Sequence, residues 1–309
     1  MLTYFRSRQI GAALGVAMIL VFHPTYAAPA EDKAAAAQAE LDAAFDAAGK
    51  VAQRGPAEVK LAEHALLKLP EGYVYLPPKE SARLMLAMGN RTGEGLLGTV
   101  FPTGQSGEQW FVVIRFDNAG YIKDDDAKDW KADELLQSLK EGTAQANEER
   151  VARGIPEVEV IGWVEKPRYD PATHQLVWSV SSKQKGQPDT ADLGINYNTY
   201  TLGREGYISM NLVTGLKLID QDKHAAVALL SGLDFNDGKR YADFNGSTDK
   251  VAAYGLAALI GGVAAKKLGL FAAFGVLLVK FWKIALIALV GGGAALGKFF
   301  KRGKTTTPA

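Results

Sequence analysis

Glu157–Lys166 (EVEVIGWVEK), Gln175–Lys183 (QLVWSVSSK), Gly194–Leu202 (GINYNTYTL) and Tyr207–Val213 (YISMNLV) decide the fold. All four runs are strand-like, rich in β-branched and aromatic residues and bounded by turn formers. The joints between them are Tyr169-Asp170-Pro171-Ala172-Thr173-His174, a Gly/Pro/Asp-rich loop at 186–192, and Gly203-Arg204-Glu205-Gly206. Joints that short cannot hold a crossover, so consecutive strands run antiparallel as a meander.

Upstream, the pattern predicts a long helix from Lys131 to Arg153, with Leu135, Leu136, Leu139 and Ala146 on one face and Gly154 and Pro156 closing it. Before it, strands are predicted at Gly95–Phe101 and at Trp110–Asp117, whose apolar run WFVVIRF reads as central. A short helix over Ser81–Met88 and strand character on both sides of Pro70-Glu71-Gly72 precede those. Downstream, a helix over Asp222–Ser231 and a short strand near Arg240–Phe244 complete the body. The expected fold class is α+β: an antiparallel sheet with a meander plus packed helices, followed by a C-terminal helical membrane segment.

The ends are of different chemistry. Arg6 and Arg8, the apolar stretch Ile10–Phe22 and the small residues after Pro24 have the layout of a cleavable secretory signal over 1–28. Residues 29–62 are Ala-rich and helix-favouring, with Leu41, Phe45 and Val51 as the larger apolar side chains; they read as a loosely docked helix stopped by Gly55-Pro56. The body is expected over 63–249. From Glu31 to Lys250 there are 25 basic and 34 acidic residues, a balance that argues against nucleic acid as a partner. No cysteine is present, which excludes disulfides and thiolate chemistry.

After Asp249 there is no acidic residue, and eight Lys/Arg punctuate a Gly/Ala/Leu/Phe-rich run. On a helix of 100° per residue, Lys266, Lys280, Lys283 and Lys298 share an arc of about 100° with small residues, opposite large apolar ones. Residues 250–300 therefore read as a transmembrane helical region with the lipid bilayer as partner, and 301–309 as a basic cytoplasmic tail. This expectation places the protein at the inner membrane with its body in the periplasm.

Chemistry-bearing motifs are few. Asp124-Asp125-Asp126, with Asp129, could attract a hard cation, but the spacing lacks the alternating oxygens and glycine of a calcium loop. Acids just before a helix are more simply dipole-capping or solvated. His64, His174 and His224 are scattered, with no ligand-like spacing. Gly104-Gln105-Ser106-Gly107-Glu108 lacks the second glycine and following helix of a nucleophile elbow. Gly93-Glu94-Gly95-Leu96-Leu97-Gly98 leads into a strand rather than following one, so it is no dinucleotide loop. Trp163, Tyr169, Trp178, Tyr197 and Tyr200 decorate the meander as cross-strand packing or a ligand groove. No catalytic, cofactor-binding or metal residue is assigned, and no cofactor is expected.

An ordered series of short motifs remains: Tyr121-Ile122-Lys123-Asp124-Asp125-Asp126-Ala127, Gly142-Thr143, Asn147-Glu148-Glu149-Arg150, Gly162-Trp163, Tyr169-Asp170, Thr173-His174, Leu202-Gly203-Arg204, and Phe235 through Tyr241-Ala242-Asp243-Phe244 to Thr248-Asp249-Lys250-Val251-Ala252-Ala253-Tyr254-Gly255. Over about residues 63–270 this series resembles the bacterial membrane-anchored family catalogued as domain of unknown function 2167. The resemblance implies a secreted body with a C-terminal anchor and carries no catalytic residue. Three functional classes follow: a tethered envelope protein whose body binds a protein partner or ligand; an envelope enzyme, for example a hydrolase, using acids such as Asp124–Asp126 with His174; and a homo-oligomeric membrane assembly packed through the tail.

Overall fold

The computed structural model describes residues 30–88, 90, 94–103, 110–152, 156–188 and 192–261. The expected signal, the 104–109 loop, Gly93 and the tail from Gly262 onward lie outside them. In chain order, α1 (Ala30–Val51) leads into β1 (Gln53–Arg54), β2 (Ala57–Leu61), β3 (Ala65–Leu69), β4 (Tyr73–Leu76) and α2 (Pro78–Ala87). Strands β5 (Leu96–Pro102) and β6 (Phe111–Asp117) follow, then a 3-10 turn at Asp125–Asp129 and α3 (Ala132–Ala152). The meander is β7 (Val158–Asp170), β8 (Gln175–Gln184), β9 (Gly194–Leu202) and β10 (Tyr207–Gly215), and α4 (Ile219–Ser231), β11 (Leu233–Phe235) and a 3-10 turn at Tyr241–Asp243 close the body.

The expected α+β class with a large antiparallel sheet is present. Eight strands form one sheet in the order β1-β4-β5-β6-β10-β9-β8-β7, with β6 and β10 at its centre. Alternation along each strand sorts side chains onto two faces. One face carries Val112, Ile114, Ile208, Met210 and Leu212, packed against α4 and a three-stranded sheet of β11, β3 and β2. The other carries two separate clusters. Phe101, Val74 and Leu76 pack under α1 and α2, while Leu176, Trp178 and Val180 pack under α3 and residues 256–260. Ile114 and Leu229, both 0% exposed, mark the depth of the first core.

Several local expectations are corrected. The N-terminal helix ends at Val51, short of Gly55-Pro56. It is firmly docked: Leu41, Ala44, Phe45 and Ala48, spaced one and two turns apart, are all buried. Alanine there allows close approach to α2 instead of signalling a weak contact. Strands β3 and β4 do flank Pro70-Glu71-Gly72 as expected, but they belong to different sheets, and the turn carries the chain between them. On α3 the inward residue of the last turns is Asn147, not the exposed Ala146. Its amide brackets Val158, donating to the carbonyl at 2.8 Å and accepting the N–H at 2.9 Å. The strand expected near Arg240–Phe244 is instead a single bridge, Gly203 to Arg240, followed by a 3-10 turn. The closing strand is Leu233–Phe235, paired with β3. Among the described residues no helix is long and apolar enough to cross a membrane, and the tail on which that expectation falls is outside them.

Candidate functional site

The first twelve residues after Asp249 do not leave the body; they are built into it. Tyr121 and Val251 form a parallel bridge. The Tyr121 N–H donates to the Lys250 carbonyl and the Ala252 N–H to the Tyr121 carbonyl, both at 2.8 Å. Gly120 makes this approach feasible: at φ 92° a Cβ would meet the Lys250 oxygen at 2.6 Å. Leu256, Leu259 and Ile260 then pack with Leu176, Trp178 and Leu202. Asp126 caps the turn that begins there, its Oδ1 and Oδ2 accepting the N–H groups of Leu256 at 3.1 Å and Ala257 at 3.0 Å.

Beside this tail root stands a stack of rings. His174 lies on Tyr241 with centroids 4.0 Å apart, Tyr241 on Tyr121 at 4.4 Å, and Tyr121 on Phe244 at 3.8 Å. Rings stacked in this way tie the β7–β8 turn, the 3-10 turn at 241–243 and the strand bridge together. His174 takes φ 53°, a left-handed conformation histidine adopts more readily than most residues, at the end of a turn organised by Asp170. The Tyr169 hydroxyl donates to Asp124 Oδ2 at 2.7 Å and lies 3.1 Å from His174 Nδ1, which is itself 3.8 Å from the same carboxylate oxygen. Burial first, then the Asp124 hydrogen bond and charge, raise the Tyr169 pKa well above that of a free phenol. The Tyr241 hydroxyl donates to the Ile122 carbonyl at 2.9 Å, and burial raises its pKa strongly as well.

A third fastening lies at the start of the tail. Arg204 Nε and Nη2 donate to Asp249 Oδ2 and Oδ1 at 2.7 and 2.8 Å, a bidentate fork. The Asn245 N–H also donates to Asp249 Oδ2, at 2.7 Å. The Arg204 hydrogen bond, then that backbone N–H, hold the Asp249 carboxyl far below its ordinary range.

The acidic triplet is therefore divided, not gathered around a cation. Asp124 faces Tyr169 and His174, Asp126 faces the tail root, and Asp125 and Asp129 are exposed. The solvated reading fits Asp125 and Asp129, whereas Asp126 caps backbone remote in sequence and not the helix that follows it. Among the described residues no group of three His, Asp or Glu side chains could hold a metal ion. His64 sits elsewhere, stacked on Phe116 at 3.6 Å in the β2–β3 turn, and His224 is exposed on α4. Trp163, Trp178 and Tyr200 pack across neighbouring strands, at 6.1 and 6.4 Å. Tyr197 belongs to the core on the other face. Sequence reasoning missed Tyr121, Tyr241 and Asp249 as parts of this site; their signal was membership in the ordered motif series.

Chemically the arrangement is a mount. Its acids accept backbone N–H groups, a phenol and a guanidinium, and its rings stack on each other.

A family model described as "Protein of unknown function (DUF2167)" matches residues 53–290, and the chain belongs to that family. No curated protein matches the chain. Among solved structures, cyanobacterial PsbP (CyanoP) from Synechocystis sp. PCC 6803 is similar at 13% identity over 60% of this chain and 93% of that one, with a TM-score of 0.34. A likeness that loose bears on neither fold nor function here.

Proposed function

We propose, with that family membership as the premise, that the chain is a tethered envelope protein: an exported α+β body that binds a partner or ligand, joined stiffly to a C-terminal membrane tail. One observation carries this reading. Tyr121, Asp126, His174, Arg204, Tyr241 and Asp249, drawn from motifs far apart in the chain, all act on residues 249–257 or on the rings beside them. A chain that spends these side chains on fixing the tail root transmits the position of the tail to the body. In this reading the tail from Gly262 crosses the inner membrane, the body faces the periplasm and the basic end Lys298–Lys304 is cytoplasmic.

The test is topology. The full chain should pellet with membranes and resist carbonate extraction, and alkaline phosphatase fused after Lys304 should be inactive. Robust phosphatase activity there, or a chain released by carbonate, overturns the tether.

The hydrolase reading retains one favourable observation, the contact of Asp124, Tyr169 and His174. It predicts that His174→Gln abolishes function without altering stability, whereas the mount predicts that function and stability fall together.

A further inference from the structure

The three-stranded sheet lies on the eight-stranded one through Val59, Leu61, Leu67 and Leu69, all in the first core. At the end of this contact the β2–β3 turn reaches over β6. Its Ala62 takes φ 51°, a left-handed conformation that such a side chain adopts only when the surroundings hold it there. Two contacts hold it. Asn236, just past β11, donates its backbone N–H to the His64 carbonyl and its Nδ2 to the Glu63 carbonyl, both at 2.9 Å. The His64 ring lies on Phe116 of β6, with centroids 3.6 Å apart and planes 18° from parallel.

A neutral imidazole fits this position and an imidazolium does not. The His64 side chain is 14% exposed. Among the described residues its Nδ1 is buried without a hydrogen-bond partner, and Nε2 lies 3.4 Å from a carboxylate oxygen of the exposed Glu63. A neutral ring can leave one nitrogen bare as an acceptor, whereas the charged ring carries an N–H on both. Burying such a donor unpaired is costly. The charges that act on the ring come from three elements: Glu63 in its own turn, Glu205 in the β9–β10 turn and Lys239 after β11. Lys239 and Glu205 are already paired with each other at 2.7 Å. Burial, opposed by Glu63 and Glu205 and aided by Lys239, lowers the His64 pKa below its ordinary value.

We infer that His64 is an acid-operated latch, closed on Phe116 when neutral and released when protonated, so that acid loosens the β2–β3 turn and its bond to Asn236. The released ring takes up a proton more readily than the docked one. The latch is therefore whole above about pH 6.5, the value of a free histidine, and weakens as pH falls through that value until the docked ring itself is charged. The β9–β10 turn is the next link. Its Glu205 carbonyl accepts the Gly120 N–H, and its Arg204 holds Asp249. Release of His64 thus acts beside the fastening of the tail root. The latch belongs to the body and is independent of the tether; export would expose it directly to the acidity outside the cell.

Hydrogen exchange of the full chain, read as protection factors from pH 7.5 to pH 5, tests the latch. Protection of the His64 and Asn236 amides should fall over this range, by up to about tenfold for each pH unit between the free and the docked value. The β8 and β9 amides should stay level. His64→Phe keeps a ring on Phe116 but cannot titrate, so its protection factors should stay level throughout. If that variant fails to fold, the histidine Cε1 resonances of the unaltered chain decide. The His64 signal should titrate below about 6.5, in step with the loss of protection at Asn236. Protection unchanged between pH 7.5 and pH 5, an equal loss in His64→Phe, or a His64 signal titrating at or above the free value overturns the latch. These outcomes leave the phosphatase-fusion result untouched, so the two readings fail separately.

Discussion

The Asp126 carboxylate sits against Gly255 so closely that a Cβ there would lie 2.7 Å from Oδ2. From that position it accepts the Leu256 and Ala257 N–H groups. An acid from the 121–127 motif thus caps backbone some 130 residues away, and a glycine from the 248–255 motif makes room for it. The two motifs are halves of one joint.

Asp126→Ala should therefore loosen the tail root and cost about 1 kcal/mol, the usual worth of a cap. Hydrogen exchange should accelerate at the Leu256 and Ala257 amides while the β6 and β10 amides keep their protection. Unchanged exchange at 256 and 257 would show that the carboxylate does not hold this segment. Gly255→Ala should act in the same direction by pushing Asp126 away.

Tyr169→Phe removes the hydroxyl shared by Asp124 and His174. The site is only partly buried, so the loss should fall near the low end of about 1.5–3 kcal/mol for a hydrogen bond to a charged group. Denaturant melts of the two proteins at neutral pH measure it, and coincident midpoints would remove Tyr169 from the joint.

Alkali should unfold the protein steeply. Burial pushes Tyr75 and Tyr197 up to about 12, and raises Tyr169, Tyr200, Tyr207 and Tyr241 further. A raised folded pKa means the native state holds protons that the unfolded chain releases. Stability is then complete below the free phenol value of about 10 and falls as pH rises beyond it. Tyrosinate absorbance should appear together with loss of circular dichroism. Ionisation of these phenols in a still-folded chain would refute their burial.

The Arg204–Asp249 fork has the opposite sign. The Asp249 pKa is lowered, so its contribution is present above the free carboxyl value of about 4 and disappears only as pH falls through the folded value below that. Arg204→Gln should destabilise equally at pH 7 and pH 5 and narrow its deficit only in stronger acid. A deficit that shrinks already between pH 7 and pH 5 would contradict the assignment.

The two faces of the central strands should respond differently to truncation. Ile114→Ala opens a cavity in the sealed face and should cost about 2–5 kcal/mol. Asn211→Ala, on the partly exposed face, should cost far less. Equal costs would mean that both faces are equally sealed.

The meander was legible residue by residue, because strand-like runs such as YISMNLV and joints such as Gly203–Gly206 constrain neighbours in the chain. Helices α2, α3 and α4 were legible for the same reason, to within a few residues at their ends. The role of α1 was not: Ala44 and Ala48 are ambiguous until a surface is placed against them. The 3-10 turn at Tyr241–Asp243 was read as a strand because its aromatics have strand propensity, while its conformation follows from stacking on Tyr121 and His174.

By itself the sequence determined the class of fold, the antiparallel order of the meander, the acidic balance of the body and the acid-free chemistry of the tail. Those properties are local or compositional, and periodicity and charge record them directly. Tertiary structure alone decided that Asp124 and Asp126 serve different partners, that residues 250–261 belong to the body, and that β6 and β10 are sealed on one face and partly exposed on the other. Each of these depends on contacts between segments far apart in the chain, and on which helices happen to cover which strands. No local pattern encodes such pairings; they arise only when the sheet closes and its faces are shared out.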